Sequence, residues 1–544
     1  MEAGNAGFRA IQVDRMNDRF IKGIDISSYP EMQDMGYRYY DENGHETDLL
    51  DYAVRKGVNY GRLRIWNHPE NIPEAGHYCD LQQTISMAGK IKAHGMNLLL
   101  DFHYSDWWAD PGHQAKPKAW EALHGEALEK AVYDYTYEVI SQLIRVNACP
   151  DMVQIGNEIR CGMLWPDGRA DNREELATLI NAGIRAVRDV QKTQKIEIVL
   201  HLDQGGRYYY YEEWFDHVIA EGVTDFDIIG LSYYPFWHGS VYDLKETMDK
   251  LAVRYHRDLI LAETAYAYRY GSPELMGEQQ EKLSGFPATP EGQRQVLELL
   301  MNITAHVSNQ RGRGIFYWEP FLREKEGTEG WGSCMGLMDR QGHPLEAMNA
   351  FQTDPYEISP VKLEEICPDA VHTTYSVREV QGDGQELSLQ AYDRLLSDEA
   401  ENLLSGKSPA GRVKPWMVEQ TGTVRTELRQ EIQENPPFKA TDYLYVQSSG
   451  NFVFRLTRKI LIEEAGRYQM KLSYRGDNTT GVKVELLCAG KNETTGRRIY
   501  PGDICWTEYE SEIRAEEQEE LEVGILIDAP AVYGMIKNII LLKI

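Results

Sequence analysis

MVQIGNE at residues 152–158 is a short apolar run that ends in the pair Asn157-Glu158, and DLILAE at 258–263 is a second such run that ends in Glu263. Each has the length and aliphatic content of a buried strand, and each carries its carboxylate at the C-terminal end. Six more runs of the same kind flank them: FIKGIDIS at 20–27, VNYGRLRIW at 58–66, MNLLLDFHYS at 96–105, KIEIVLHLD at 195–203, DIIGLSYYP at 227–235 and GIFYWEP at 314–320. Between them, stretches such as 80–94, 126–146, 171–192, 241–256 and 290–310 repeat apolar residues three and four apart, the spacing of amphipathic helices. Eight β/α units in roughly 350 residues predict an α/β fold of the (β/α)8 TIM-barrel type with enlarged loops. A doubly wound open sheet is the alternative, but no glycine-rich phosphate loop follows the first strand.

Alternation along the strands separates an inward face from an outward one. In the second strand Arg62, Arg64 and Trp66 share a face opposite Leu63 and Ile65, and in the third Asp101 and His103 lie opposite Leu100 and Phe102. Two arginines are tolerable inside a barrel only near its open mouth. Polar residues thus collect at the C-terminal strand ends: Asp25, Arg64, Asp101, His103, Glu158, His201, Asp203, Tyr233, Tyr234, Glu263 and Trp318. In this fold that end carries the active site.

Two glutamates there are what retaining cleavage of a glycosidic bond requires, with carboxyl groups about 5–5.5 Å apart. Strands 4 and 7 can present them across the mouth. Glu158 is expected to be the general acid/base, with a raised pKa, and Glu263 the ionised nucleophile. Asn157 is placed to meet the substrate 2-hydroxyl. Trp66, Trp107, Trp108, Trp165, Trp237, Trp318 and Trp331 fall at or beyond strand ends, where sugar rings need flat apolar platforms. Trp318 is the best floor for the sugar at the cleavage point. Packing of the loop after strand 3 is an equal account of Trp107 or Trp108, and a scaffold role an equal account of Asp101, His103 and His201.

The strings YDENG (40–44), RLRIWNHP (62–69), LLDFHYSDWWADPG (99–112), KPKAW (116–120), QIGNE (154–158), LWPDG (164–168), LSYYPFWHG (231–239), AETAY (262–266), PAT (287–289) and FYWEP (316–320) follow one another from Phe20 to about Phe351. Together they resemble the endo-β-1,4-galactanases of glycoside hydrolase family 53. The resemblance implies a retaining barrel enzyme that cleaves internal β-1,4 bonds of galactan or type I arabinogalactan, the side chains of pectin. It also implies that Arg64 holds Glu263 ionised and oriented. On the strand-end reading and the resemblance together, substrate contacts are expected at Asp25, Arg64, Trp66, Asp101, His103, Trp107, Asn157, Tyr233, Tyr234, Trp237, His238 and Trp318. Another retaining barrel β-glycanase, of mannanase or cellulase type, would share the two glutamates but not SYYPFWHG or LWPDG. A non-catalytic glycan-binding barrel would have no need of both glutamates with Arg64 and Asn157.

Two departures stand out. Bacterial members commonly carry an Asp/His/Asn calcium cluster after strand 7, whereas residues 265–289 read AYAYRYGSPELMGEQQEKLSGFPAT, with no Asp and no regular oxygen-ligand spacing. No cofactor is therefore expected. Strand 5 ends HLDQGGRYYYY, without the usual Asn before the glycines.

A formal net charge of -28 argues against a nucleic-acid partner. The seven cysteines are scattered, with no C-x-x-C pair, so neither a disulfide framework nor a zinc site is expected. Residues 1–8 carry no basic or apolar leader pattern, and no run approaches the length of a membrane span, so the expectation is a soluble monomer that is cytoplasmic as written, or exported with its leader already removed. The expected domains are a barrel over 1–352, a short β-rich connection over 353–400 and an all-β sandwich over 401–544, whose strands run from YLYVQ to the closing MIKNIILLKI. The last is similar, more weakly, to galactose-binding-like modules. For Trp416, Tyr443, Tyr445, Tyr474 and Trp506, packing is favoured over sugar binding about two to one.

Overall fold

The inward face of each barrel strand changes character along its length, and that change positions the site. The computed structural model describes residues 19–363 apart from 76, 171, 192–193, 273–274 and 325–329, and beyond them 389–396, 402–405, 411–422, 424–432, 440–447, 451–476, 483–491, 494–499, 507–529 and 533–544. Strands β1 (Ile21–Asp25), β2 (Tyr60–Ile65), β3 (Asn97–Phe102), β4 (Met152–Ile155), β5 (Glu197–Leu202), β6 (Ile228–Ser232), β7 (Asp258–Thr264) and β8 (Gly312–Tyr317) close into a barrel. Neighbours pair in parallel and in chain order, and β8 returns to β1 through Ile21↔Gly314 to Ile24↔Tyr317. All eight expected strands are present.

Ile21, Tyr60, Leu99, Met152, Val199, Ile228, Ile260, Ala262 and Phe316 form the apolar plug of the barrel. Two residues further along the same inward faces stand Arg62, Asp101, Gln154 and His201. Gly23 is needed where β1 passes the plug, because a Cβ there would lie 2.2 Å from the Phe316 ring.

The barrel is wrapped by helices that include α1 (Tyr29–Asp34), α2 (Leu49–Arg55), α3 (Leu81–Ala93), α4 (Gly125–Arg145), α5 (Arg173–Val190), α6 (Tyr208–Ala220), α7 (Val241–Tyr255), α8 (Glu278–Ser284) and α9 (Pro290–Ala305). The five expected from periodicity are α3, α4, α5, α7 and α9. Each start is chemically marked where a cap forms: Asp80 caps α3, Ser240 and Asp243 form a capping box on α7, and Thr289 with Pro290 opens α9. Helix α6 buries Tyr210, Tyr211, Trp214, Phe215 and Val218, a helical stripe written in aromatic residues that composition alone assigns to strands.

The chain divides into two compact units, residues 1–373 and 374–544. In the second, β9 (Gly411–Thr421), β12 (Phe452–Ile462), β17 (Glu520–Ala529), β14 (Lys483–Ala489) and β15 (Thr494–Ile499) make one sheet in that order. The other runs β10 (Arg425–Ile432), β11 (Ala440–Gln447), β18 (Tyr533–Lys543), β13 (Gly466–Gly476) and β16 (Thr507–Ala515). Alternate residues such as Phe452, Phe454 and Leu456 on β12 and Tyr468, Met470, Leu472 and Tyr474 on β13 fill the core between them. Strands β9, β10 and β15 were not anticipated. β9 carries Pro415 at a register shift between Val413 and Trp416, which an edge strand tolerates because one side of its ladder is unpaired.

Trp416, Tyr443 and Tyr474 are buried, and Trp416 donates to Asp393 at 3.0 Å under the Arg458 guanidinium. These three pack; Tyr445 is half-buried and Trp506 lies outside the described residues. Cys79, Cys149, Cys334 and Cys488 form no disulfide, but Cys161 is disulfide-bonded, against the expectation from the scattered count. Among the described residues, no helix is long and apolar enough to cross a membrane.

Candidate active site

Arg62 is the hub of the mouth. It is 1 % exposed, and its guanidinium lies 2.8 Å from each of Asp25, Asp101 and Glu263, with Asn157 Oδ1 accepting from it at 3.0 Å. Burial alone would favour its neutral form, but the three carboxylates more than offset that and hold it cationic. Such a cluster balances only while all partners are present.

Glu263 reaches this hub through a break in alternation. Ile260 and Ala262 already face inward, so Glu263 would face outward in a regular strand. The pairing slips between Leu231↔Leu261 and Ser232↔Glu263, and again on the β8 side between Ile315↔Leu261 and Tyr317↔Thr264. Such irregularities re-aim a side chain, and here the carboxylate turns inward. Arg62 holds Oε1, and the buried Tyr234 hydroxyl donates to Oε2 at 3.2 Å. Burial pushes Glu263 up to about 7; Arg62 opposes this, and Asp101 and Asp25 add to it.

Glu158 follows β4 in a left-handed conformation, φ 48°, that non-glycine residues seldom adopt. Tyr104, Gln204 and Glu319 have the same feature after β3, β5 and β8, so four loops at one barrel end carry strained backbone. The turn is clamped: Asn157 Nδ2 donates to the Ala109 carbonyl at 2.8 Å, Gln114 Nε2 to the Asn157 carbonyl at 2.8 Å, and Trp165 N to the Gln114 carbonyl at 2.7 Å. Glu158 itself is half-buried and accepts from Ser232 Oγ at 2.5 Å. Burial, then Glu263, then Asp203 push its carboxyl well above the ordinary range. Glu263 thus has a cation and a phenol against it, while Glu158 has a hydroxyl and faces other acids.

Arg64 does not hold Glu263, which corrects the expectation. It pairs with Glu319, donates to the Ser28 hydroxyl at 2.8 Å, and lies 4.1 Å from the centre of the Trp108 ring and 5.3 Å from that of Trp66. Both arginines share one face, so alternation does not say which is deeper. Glu319, caught between Arg64 and Asp25, is raised to about 7, with burial the leading cause.

Several residues expected to touch substrate are buried and hydrogen-bonded within the protein. Asp25 binds Arg62 and Ser27. Asp101 is fully buried and takes Arg62 at 2.8 Å, Gln154 at 2.6 Å and His103 at 3.2 Å, which hold it below the usual carboxylate range despite its burial. His103 receives the Ala109 amide and Trp66 Nε1 on Nδ1. Trp66 is only 2 % exposed and underlies Trp107 and Trp108. Tyr233 is buried with its hydroxyl on the Gly239 carbonyl, and His238 hydrogen-bonds the Ser232 carbonyl.

Half-buried Trp107, Trp108, Trp318, Trp331 and Trp237 remain, joined in an arc that ends on Tyr234. Trp108 meets Trp318 at 6.0 Å, Trp318 meets Trp331 at 4.7 Å, and Trp331 meets Trp237 at 6.1 Å between ring centres. A paired acid and carboxylate beside an aromatic wall suits a pyranose chain. Sequence reasoning missed Arg62, Gln154, Ser232 and Glu319; the signal for Arg62 was its place two residues above the plug residue Tyr60.

The profile described as Glycosyl hydrolase family 53 matches residues 21–351, which span the whole barrel. The chain belongs to glycosyl hydrolase family 53. It is therefore a glycoside hydrolase. An endo-β-1,4-galactanase of Bacillus subtilis (strain 168) is 33% identical over 387 residues, 63% of this chain and 87% of its own length. An uncharacterised Niallia circulans protein is 40% identical over 353 residues, 62% of this chain and 94% of its own. Among solved structures, the family 53 catalytic domain of Ignisphaera aggregans is 39% identical with a TM-score of 0.57, covering 61% of this chain and 95% of that one. A fungal β-1,4-galactanase is 31% identical with a TM-score of 0.55, covering 61% and 99%. These likenesses concern the barrel. The loop after β7, residues 265–289, contains no aspartate.

Proposed function

We propose that this family 53 chain is a retaining endo-β-1,4-galactanase acting on galactan, type I arabinogalactan or their galacto-oligosaccharides. The observation that carries the mechanism is the contrast between the two glutamates: Glu263 is gripped by Arg62 and Tyr234, whereas Glu158 is half-exposed among acids. Glu263 attacks the anomeric carbon while Glu158 gives its proton to the departing oxygen. Glu158 then takes a proton from water, and that water releases the sugar from Glu263. The substrate follows the B. subtilis and fungal relatives, which are named as β-1,4-galactanases.

Arg62 favours the ionised nucleophile. Asn157 has one Nδ2 hydrogen committed to Ala109, which leaves the second for the sugar 2-hydroxyl. The arc from Trp108 to Trp237 supplies stacking surfaces, and Arg64 with Glu319 braces its Trp108 end. Two-carboxylate hydrolysis needs no cofactor, and the protein is read as a monomer.

Product analysis on linear β-1,4-galactan tests this. The parent enzyme should release a ladder of oligosaccharides with retained anomeric configuration, and Glu158→Gln and Glu263→Gln should each lose several orders of magnitude. Inverted products, or inertness toward galactan with activity on mannan or cellulose, would overturn it.

A further inference from the structure

Behind Glu158 stands a chain of buried groups that the two-carboxylate mechanism does not use. Ser232, at the end of β6, donates from Oγ to Glu158 Oε1 at 2.5 Å. The same Oγ lies 2.8 Å from Nε2 of His201 on β5. His201 Nδ1 lies 3.0 Å from Gln154 Nε2, which is also 2.6 Å from Asp101 Oδ1. Ser232, His201, Gln154 and Asp101 are all fully buried.

We propose that Ser232 and His201 are positioning residues that fix the rotamer and the proton-bearing oxygen of Glu158. This rests on the reading of Glu158 as the acid/base. A hydroxyl has one proton and a carboxylate can only accept. When Glu158 is ionised, Ser232 must therefore donate to Oε1, and its oxygen must accept from His201 Nε2–H. His201 Nδ1 is then an acceptor that takes one hydrogen of the Gln154 amide, whose other hydrogen goes to Asp101; Asn157 Oδ1, 3.1 Å from the same Nδ1, takes its hydrogen from Arg62 instead. Burial, with Arg62 nearby, keeps His201 neutral, as a single Nε2–H requires. Asp101 ties the far end to the Arg62 hub. If the chain persists when Glu158 is protonated, Oε1 is occupied by the Ser232 proton, so the acidic proton sits on Oε2. The relay thus selects the oxygen that carries the acidic proton, and it acts in both half-reactions.

A residue that acts only through the acid should matter in proportion to how much the leaving group needs a proton. The test is kcat/KM, which reports the first half-reaction, for parent, Ser232→Ala and Ser232→Thr. Substrates are linear β-1,4-galactan and aryl β-1,4-galactobiosides whose phenols span a wide acidity range. General acid catalysis is worth roughly 10²–10⁴-fold, and mispositioning should remove about 10–100-fold of it. Ser232→Ala should lose at least about tenfold more on galactan than on the dinitrophenyl glycoside, so dependence on leaving-group acidity steepens. Ser232→Thr, which keeps the hydroxyl, should restore most of the loss. A difference under about tenfold between the two substrates would overturn the proposal, since it means either general structural damage or no role. Melting temperatures of both variants identify unfolding, and the Thr variant carries the test if Ala does not fold. A parent enzyme that cleaves neither galactan nor any galactobioside would instead overturn the galactanase reading.

Discussion

Replacing Arg62 by methionine, which keeps the aliphatic volume and removes the charge, should separate the two mouth arginines. Arg62 lies 2.8 Å from each of Asp25, Asp101 and Glu263. Removing one partner of a buried ion pair costs about 3–5 kcal/mol. If that is felt at the nucleophile in the transition state, then at about 1.4 kcal/mol per tenfold it lowers kcat/KM on galactan by roughly 10²–10³·⁵-fold. The loss should fall on kcat, because the arginine orients an attacking group and does not line the aromatic wall. Stability should fall too, in a pH-dependent way. Without Arg62 the buried carboxylates have folded pKa values raised above their unfolded values near 4, so the protonated form favours folding. The extra instability is absent below the unfolded values and grows as pH rises through the folded ones. Calorimetry at about pH 5 and pH 8 should therefore show the larger melting deficit at pH 8. Arg64→Met, which frees Glu319 and the Trp108 end of the arc, should act mainly on KM. The reasoning is refuted if Arg64→Met lowers kcat as much as Arg62→Met, or if Arg62→Met stays within about tenfold of parent.

Other outcomes follow from the same geometry. Glu158→Gln should be rescued by azide as a β-galactosyl azide product on an activated galactobioside, while Glu263→Gln should not; rescue of the second alone would exchange their roles. The pH profile of kcat/KM should have its acid limb above the ordinary carboxylate range, toward about 7, because Glu263 must lose its proton, and its basic limb set by Glu158. An acid limb near 4 would show that Arg62 outweighs burial. Gly23→Ala would push a methyl against the Phe316 ring and should destabilise the barrel by about 1–3 kcal/mol or more, read as a lower melting temperature. Trp416→Phe loses the indole bond to Asp393 and should cost the second unit about 0.5–1.5 kcal/mol, with galactan hydrolysis unchanged.

The barrel was legible because its strands are continuous apolar runs with polar ends, and their number and spacing leave few alternatives. The two glutamates were legible for the same reason: each closes such a run, Glu158 beside Asn157. What alternation could not supply was depth. Arg62 and Arg64 share a face and differ by two residues, and which one reaches Glu263 depends on strand stagger around the barrel, a property of closure that no single strand contains. Nor does alternation predict burial at the mouth, where Asp25, Asp101, His103, Trp66 and Tyr233 are buried and hydrogen-bonded within the protein. In the second unit the missed strands are the polar ones. β10 and β9 carry charge or proline at sheet edges, where pairing and not composition makes the strand.

Glu263 shows where period-2 counting stops short. By period-2 counting from Ile260 and Ala262 it belongs to the outer face, where it would meet helices and no substrate. The register slip beside Ser232 reverses that, and the same slip sets Ser232 against Glu263 in the ladder while its hydroxyl reaches Glu158. This irregularity therefore delivers one carboxylate to Arg62 and places the hydroxyl that holds the other. The plug below keeps the change local: Phe316, Ala262 and their neighbours are closely packed, so the slips near the rim turn one side chain and do not move a whole strand.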